Sequence, residues 1–320
     1  MTLLAGIDIG GSKVLAVALD EAGTVVAQTR LASSGGPAGV VATAIEAVRA
    51  LGARPGVELS EFRAVGVGVP GLVEPRSGAV SHAVNLGLVG TVDLGAMLGR
   101  HLGLPVVVEN DVNAAALGAA RVLDLDGRDL AYLSIGTGLA AGLVIGGRLR
   151  RGARGAAGEI GHIPVDPDGP VCACGQRGCL ETLASGSALS SAWAARDGLS
   201  PAESLFAAAT AGDPAAVAAR DRFTDSLAAA VRLLVLTCDV ETVVLGGGVT
   251  DVGSALLESV RDALARQSAD SPFLASLELP QRVAMVAPGS AVAAVGAALA
   301  GREVLTAPGP RSPIGEPVVP

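Results

Sequence analysis

Apolar residues enter the chain in short runs separated by glycine turns. LLAGIDI near the N-terminus has the character of a buried strand, GGSK of a tight turn and VLAVAL of a second strand. DEAG turns again and TVVAQTR supplies a third strand, so the chain is expected to open with an antiparallel meander. VVATAIEAVRAL (40–51) shifts to a helical period. AVGVGV (64–69) and PVVVEN (105–110) are candidate buried strands, and the Ala-rich run 112–122 a helix.

The same layout then restarts. DLAYLSIGTG reads as strand and glycine turn, LAAGLVIGG as a second strand and RLRRG as an exit turn. Ala-rich helices are expected over about 184–195 and 213–237. ETVVLGGGV follows as strand and turn, VAMVAP (283–288) as a strand, and AVAAVGAALAGR (291–302) as a closing helix. Two halves about 125 residues apart thus open alike, which suggests duplication and two α/β lobes facing across a cleft. From Ala307 the chain loses all periodicity and gathers five of its 18 prolines, so 307–320 is expected to be a disordered tail.

Composition narrows the class. Half of the 320 residues are apolar but only 2% are aromatic, so Ala, Val, Leu and 44 Gly must fill the interior. A net charge of −8 without a basic stripe argues against nucleic acid as a partner. The N-terminus lacks the basic region of a signal peptide. Leu133–Gly147 is uncharged but too short and glycine-rich to span a bilayer, and Ala228–Val249 is broken by Arg232, Asp239 and Glu241. A cytoplasmic protein with no membrane partner is expected. Its reduced thiols would favour metal ligation over disulfides.

Three glycine loops could hold a ligand. Gly10-Gly11-Ser12-Lys13 follows Asp8 and offers backbone N–H groups, a hydroxyl and a cation to phosphate oxygens, although Gly-Gly is also an ordinary hairpin turn. Asp8 could orient a water on a nucleotide-bound metal. Gly136-Thr137-Gly138 repeats the feature. Gly246-Gly247-Gly248 would allow a flat group such as adenine to pack closely. Gly66-Val-Gly68-Val-Pro-Gly71 has dinucleotide-binding spacing, but a loop follows where that motif needs a helix. It is rejected as such a motif.

Glu109-Asn110-Asp111 joins a buried strand to a helix. Asn110 or Asp111 can be a plain N-cap. The same position lies at a cleft edge, where the helix dipole would keep Asp111 ionised to accept a hydroxyl proton and Asn110 could hold a neighbouring hydroxyl. Cys172-x-Cys174-x4-Cys179 with His162 makes a Cys3His set suited to structural, tetrahedral zinc, with Gly175 and Gly178 as turns. An iron–sulfur cluster would need Cys238, whose apolar surroundings mark a buried core thiol, and no Cys-x-x-Cys redox pair exists. His82 and His101 have no such cluster and are expected at the surface. Glu159 and Glu181 flank the block. They could lie behind the metal ligands or bind a polyol.

Taken together, AGIDIGGSK, GVGVPGLVEP, NLG (85–87), ENDVNAAALGA, IGTGLAAGLVIGG, GAAGEIGH, CACGQRGCLE and VLGGGV resemble, in order, the motifs of the ROK family of repressors and sugar kinases. The likeness spans about residues 4–302 and is nearest the bacterial glucokinases of that family. It implies a two-lobed actin-like ATPase (ribonuclease H-like) fold. Residues 1–111 with 291–303 would form one lobe, and 112–290, with a zinc loop at 158–181, the other. It implies ATP bound by Gly10, Gly11, Ser12, Lys13, Gly136, Thr137, Gly138 and Gly247, with magnesium on the nucleotide. Gly71, Asn85, Asn110, Glu159, His162 and Glu181 would line or bind the sugar, Asp111 would be the catalytic base, and His162, Cys172, Cys174 and Cys179 would hold zinc. A homodimer or dimer of dimers is implied, with ATP-dependent phosphorylation of glucose at its 6-hydroxyl. N-acetylmannosamine, N-acetylglucosamine, mannose or fructose are alternative substrates, and a non-catalytic sugar sensor is an alternative role. Ser12 stands where the family usually has Thr. Val84 and Leu88 replace the usual Pro and Trp around NLG, which changes the rim of the sugar site.

Overall fold

The computed structural model describes residues 2–306. The tail expected to be disordered, 307–320, lies outside them. The meander forms as the pattern requires, with β1 (Leu3–Ile9), β2 (Lys13–Leu19) and β3 (Val25–Ala32). Helix α1 (Gly36–Gly52) covers them, and β4 (Phe62–Val69) adds parallel to β1. A small antiparallel sheet follows, β5 (Leu72–Val73), β6 (Ala79–Ser81) and β7 (Val92–Asp93), and then α2 (Leu94–Leu102). Strand β8 (Val106–Asn110) runs parallel to β4 and leads into α3 (Asp111–Val122). Gly66 and Gly68 lie inside β4, which explains the failed dinucleotide motif: a Cβ at Gly66 would overlap the Ala297 carbonyl.

The second half repeats this plan. Strands β9 (Leu130–Ile135) and β10 (Leu139–Ile145) form a hairpin, and β11 (Arg148–Leu149) extends it. Helices α4 (Glu181–Ala184), α5 (Gly186–Ala192), α6 (Pro201–Thr210) and α7 (Pro214–Cys238) precede β12 (Thr242–Gly246). Then come α8 (Ser254–Ser268), α9 (Pro272–Ser276), β13 (Val283–Met285) and α10 (Val292–Thr306). The two five-stranded sheets have the same order, β3-β2-β1-β4-β8 and β11-β10-β9-β12-β13, with antiparallel and parallel pairings in the same places.

Several local expectations change. The helix expected over 184–195 is broken at Ser185, which turns extended and caps α5 through its hydroxyl. RLRRG is a short strand before it is an exit, and VAMVAP is strand only through Met285. Cys238 is half-exposed at the end of α7, because Asp239 takes a left-handed conformation and ends the helix there. His82 and His101 are exposed as expected, with His101 on α2.

Helices α3 and α10 cross between the two sheets. A Cβ at Gly118 would overlap the Val292 carbonyl, and one at Gly296 would overlap that of Ala114. Small residues bring these backbones together, much as they do wherever helices must approach closely. The crossing fixes α3, and with it the β8–α3 corner that carries Asp111.

Candidate active site

The first glycine loop is a hairpin: the Gly10 N–H donates to the Lys13 carbonyl at 3.0 Å. The ordinary hairpin turn is therefore present in this loop. Neither Gly10 nor Gly11 has a positive φ. Gly11 is needed for space, since a Cβ there would come 2.9 Å from the Asn85 carbonyl. Asn85, a candidate sugar ligand, thus sits against the candidate phosphate loop. Lys13 and Ser12 are exposed at its tip.

A cavity of about 470 Å³ opens between the lobes. Asp8, Lys13 and Arg30 line it from the first lobe, and Tyr132, Gly247 and Asp251 from the second. Burial pushes the Asp8 carboxyl up to about 7, helped by the nearby Asp111 carboxylate and opposed by Lys13. Arg30, Tyr132 and Asp251 carried no sequence signal. Arg30 sits in a plain strand pattern, and the cleft gathers these residues from distant elements.

Asn110 is the N-cap of α3. Its Oδ1 accepts from the Val112 and Asn113 N–H groups at 2.9 and 3.0 Å. Its Nδ2 donates to the Gly71 carbonyl at 3.0 Å, which brings two candidate sugar-site residues together. One Asn110 amide hydrogen is left over for a ligand by valence. Asp111 follows as the first helical residue. The N–H groups of Asp111 and Val112 favour its charge, as expected from the helix start, but burial and the Glu159 carboxylate work against it. Burial is the larger effect, so the carboxyl is raised, which works against the charge expected from the helix dipole.

Gly158 has φ 93°, and a Cβ there would overlap the Ala141 carbonyl. The Ala141 N–H donates to the Gly158 carbonyl at 2.8 Å, so Glu159 and His162 are presented from a turn pinned to β10. His162 Nδ1 lies 3.7 Å from Cys172 Sγ, while its Nε2 faces Glu159 Oε2 at 4.0 Å. One ring nitrogen therefore turns to the thiols and the other to the cleft side.

The side-chain donors of His162, Cys172, Cys174 and Cys179 lie within 4.8 Å of one another. Cys174 and Cys179 Sγ are 3.6 Å apart. Metal–sulfur bonds of about 2.3 Å imply tetrahedral edges of about 3.7 Å, so the donor set fits a closed four-coordinate ion. The loop is tied independently of any ion: the Cys172 N–H donates to the Gln176 carbonyl at 2.7 Å, and Pro164 bridges to Cys179. Gly175 and Gly178, both at positive φ, make its turns.

Glu181 has a second duty that the sequence did not reveal. Its Oε2 accepts from the Leu139 N–H at 3.0 Å, and a Cβ at Gly138 would overlap that oxygen. A side chain at Gly138 would therefore displace the Glu181 carboxylate from Leu139. Thr137 is exposed beside it and borders a cavity of about 580 Å³ with Gly136, Ser187, Ser190, Pro201 and Gly248. In the triple glycine, Gly246 packs on the Tyr132 ring and Gly247 on the Ile135 backbone. Only Gly248 of the three faces open space.

The chain is similar to known proteins over most of its length. The ROK family model matches residues 4–300. A glucokinase of Streptomyces coelicolor is 35% identical over 285 residues, covering 83% of this chain and 88% of its own. An N-acetylmannosamine kinase of Escherichia coli is 33% identical over 269 residues, covering 84% and 90%. A crystal structure of a ROK family glucokinase from Streptomyces griseus, in complex with glucose and AMPPNP, superposes with a TM-score of 0.77 at 33% identity, covering 94% of this chain and 99% of that one. The fold is the two-lobed actin-like ATPase fold. No described helix is long and apolar enough to cross a membrane. On its matched residues, its fold and the order of its motifs, the chain belongs to the ROK family.

Proposed function

We propose that this protein is an ATP-dependent hexokinase that phosphorylates the 6-hydroxyl of glucose. The observation that carries the reading is the place of Asp111 at the start of α3, next to Asn110, whose amide reaches the Gly71 carbonyl: its charge bears on Asp8 of the glycine-loop side, and Glu159 of the histidine–cysteine side bears on it. A carboxylate between a phosphate site and a sugar site is placed to serve both reactants. As the sugar O6 attacks the γ-phosphorus in line, its proton passes to Asp111, the new O–P bond forms and the bond to the β-phosphate oxygen breaks, releasing ADP. A raised carboxyl pKa suits such a base, because proton transfer works best when donor and acceptor are matched near the operating pH.

Gly10, Gly11, Ser12 and Lys13, with Gly136, Thr137 and Gly138, would hold the phosphates, and the cavity beside Thr137 and Gly248 would take the base. Asn85, Asn110, Glu159, His162 and Glu181, with Gly71 behind Asn110, would line the sugar site. Magnesium carried on ATP would neutralise phosphate charge, with Asp8 oriented toward its water shell. The Cys3His set would hold zinc as a structural ion. The reading extends to a cytoplasmic homodimer, for which light scattering is the direct measure.

A second reading, phosphorylation of N-acetylmannosamine, is favoured by the relative that covers 84% of this chain at 33% identity. A coupled assay with glucose, mannose, fructose and the two N-acetylated hexosamines, each with ATP or polyphosphate, separates them. Glucose with ATP is expected to give the highest kcat/KM. Asp111→Asn is expected to lose about 10²- to 10⁴-fold in kcat. Undiminished turnover by that variant would sink the assignment, and sugar binding without any turnover would favour a sensor.

A further inference from the structure

Among the described residues, only Glu109 combines a charge with full burial, at 4% exposure. It plays no part in the chemistry above. Its Oε1 accepts from the Asn110 N–H and from the Asn113 side-chain amide, both at 3.0 Å. These residues bracket Asp111. Its Oε2 accepts from Arg151 Nε, and Arg151 Nη2 reaches Glu303 Oε2 at 3.2 Å. Glu109 is the penultimate residue of β8 and Glu303 lies on α10, whereas Arg151 comes from the other lobe, just past β11.

Arg151 also begins the segment that leads to Glu159. Its carbonyl accepts from the Ala157 N–H at 3.3 Å, and in the same segment a Cβ at Gly155 would come 2.7 Å from the Val73 carbonyl. That stretch is thus seated on the first lobe at two points. Burying a carboxylate is costly without a cation beside it, and Arg151 pairs with Glu109. The guanidinium fork can serve two carboxylates at once, which a lysine ammonium does with far less geometric control.

We infer that Arg151 is a positioning residue for phosphoryl transfer: by holding Glu109 it fixes the Asn110–Asn113 corner around Asp111, and by the same side chain it keys the approach to Glu159 to that corner. The base and the sugar-binding turn, carried by different lobes, are thereby kept in register. The inference rests on the assignment of Asp111 as base.

The test uses the full chain with glucose and ATP, and measures kcat, both KM values, thermal melting and the concentration of active sites from a single-turnover burst. Arg151→Met is expected to lower kcat about 10- to 100-fold per active site, the scale of a small misplacement of reacting groups. The ATP KM should change by less than about threefold, since the nucleotide loops are untouched. Arg151→Lys should recover part of the loss, because the charge returns without the fork. A purely structural role would lower melting and active-site concentration but leave kcat per site unchanged, and that result overturns the inference, as does a kcat within about twofold of the parent. If Arg151→Met yields no folded protein, Glu109→Gln reads the same link. A fall of about tenfold in kcat per site supports it, and an unchanged kcat overturns it. An Asp111→Asn variant that still turns over defeats the base assignment itself. An inactive Asp111→Asn beside normal Arg151 variants defeats this inference alone.

Discussion

The Asp111 carboxylate raises the neighbouring Asp8, and burial penalises both charges. The same pair therefore gives activity and stability opposite slopes with pH. For activity, Asp111 must be ionised, so kcat/KM should fall as pH drops, with an acid limb above the ordinary carboxylate range. For stability, Asp8 binds its proton more tightly folded than unfolded. Its contribution is complete below the unfolded value of 3.8 and is lost as pH rises through about 7. Asp8→Asn should then melt higher than the parent in alkaline solution, and the gap should close toward acid pH, while nucleotide binding weakens. Melting curves across pH for both proteins measure this. Equal melting differences at every pH would show that Asp8 is not held protonated by its surroundings.

At the scale of elements, loop 158–181 shows what the sequence could and could not reveal. Cysteine spacing and an upstream histidine were enough to identify the metal-type donor set, because ligand chemistry demands those residue types close together. The strand-to-helix corner at Asn110 was also legible, since a cap residue between an apolar strand and an Ala-rich helix has few other uses. The break at Ser185 was not, because an Ala-rich run carries helical propensity and only tertiary packing splits it. The double use of Glu181, and the link from Arg151 to Glu109, join residues 42 positions apart and leave no local pattern. The geometry of this loop predicts the effect of stripping its metal. Glu159 and His162 hang from it, whereas the Gly10–Lys13 loop does not. Chelation, or Cys172→Ala, should raise the sugar KM about tenfold or more, the scale on which residues supporting a metal site typically matter, with a smaller change in nucleotide affinity carried through Glu181 to Leu139. Elemental analysis should find about one zinc per chain. A metal-free preparation with unaltered sugar KM would refute the proposed role.

For the molecule as a whole, the question is whether two lobes with similar sheets fold as two units or one. Each sheet has its own apolar core. A third cluster joins α3 to β9, β10 and β12, and a fourth joins α10 to β1, β2 and β4. Helices α3 and α10 in turn meet at Gly118 and Gly296, where carbonyls occupy the space a Cβ would need. Each sheet's inner face is covered by one of these helices, and the helices bury their remaining faces against each other, so the crossing couples the unfolding of the two lobes. Calorimetry should therefore show a single transition for residues on both sides of the cleft. Gly296→Ala forces the Ala114 carbonyl away and cannot be relieved by a side-chain rotation, since the obstacle is backbone. Overpacking of this kind costs about 1–3 kcal/mol. The expected result is one transition displaced to lower temperature by several degrees. Because α3 also carries Asp111, kcat should fall in the same variant under conditions where it remains folded. Two separate transitions in the parent, or a Gly296→Ala midpoint equal to that of the parent, would mean that the lobes are stabilised independently and that the crossing merely connects them.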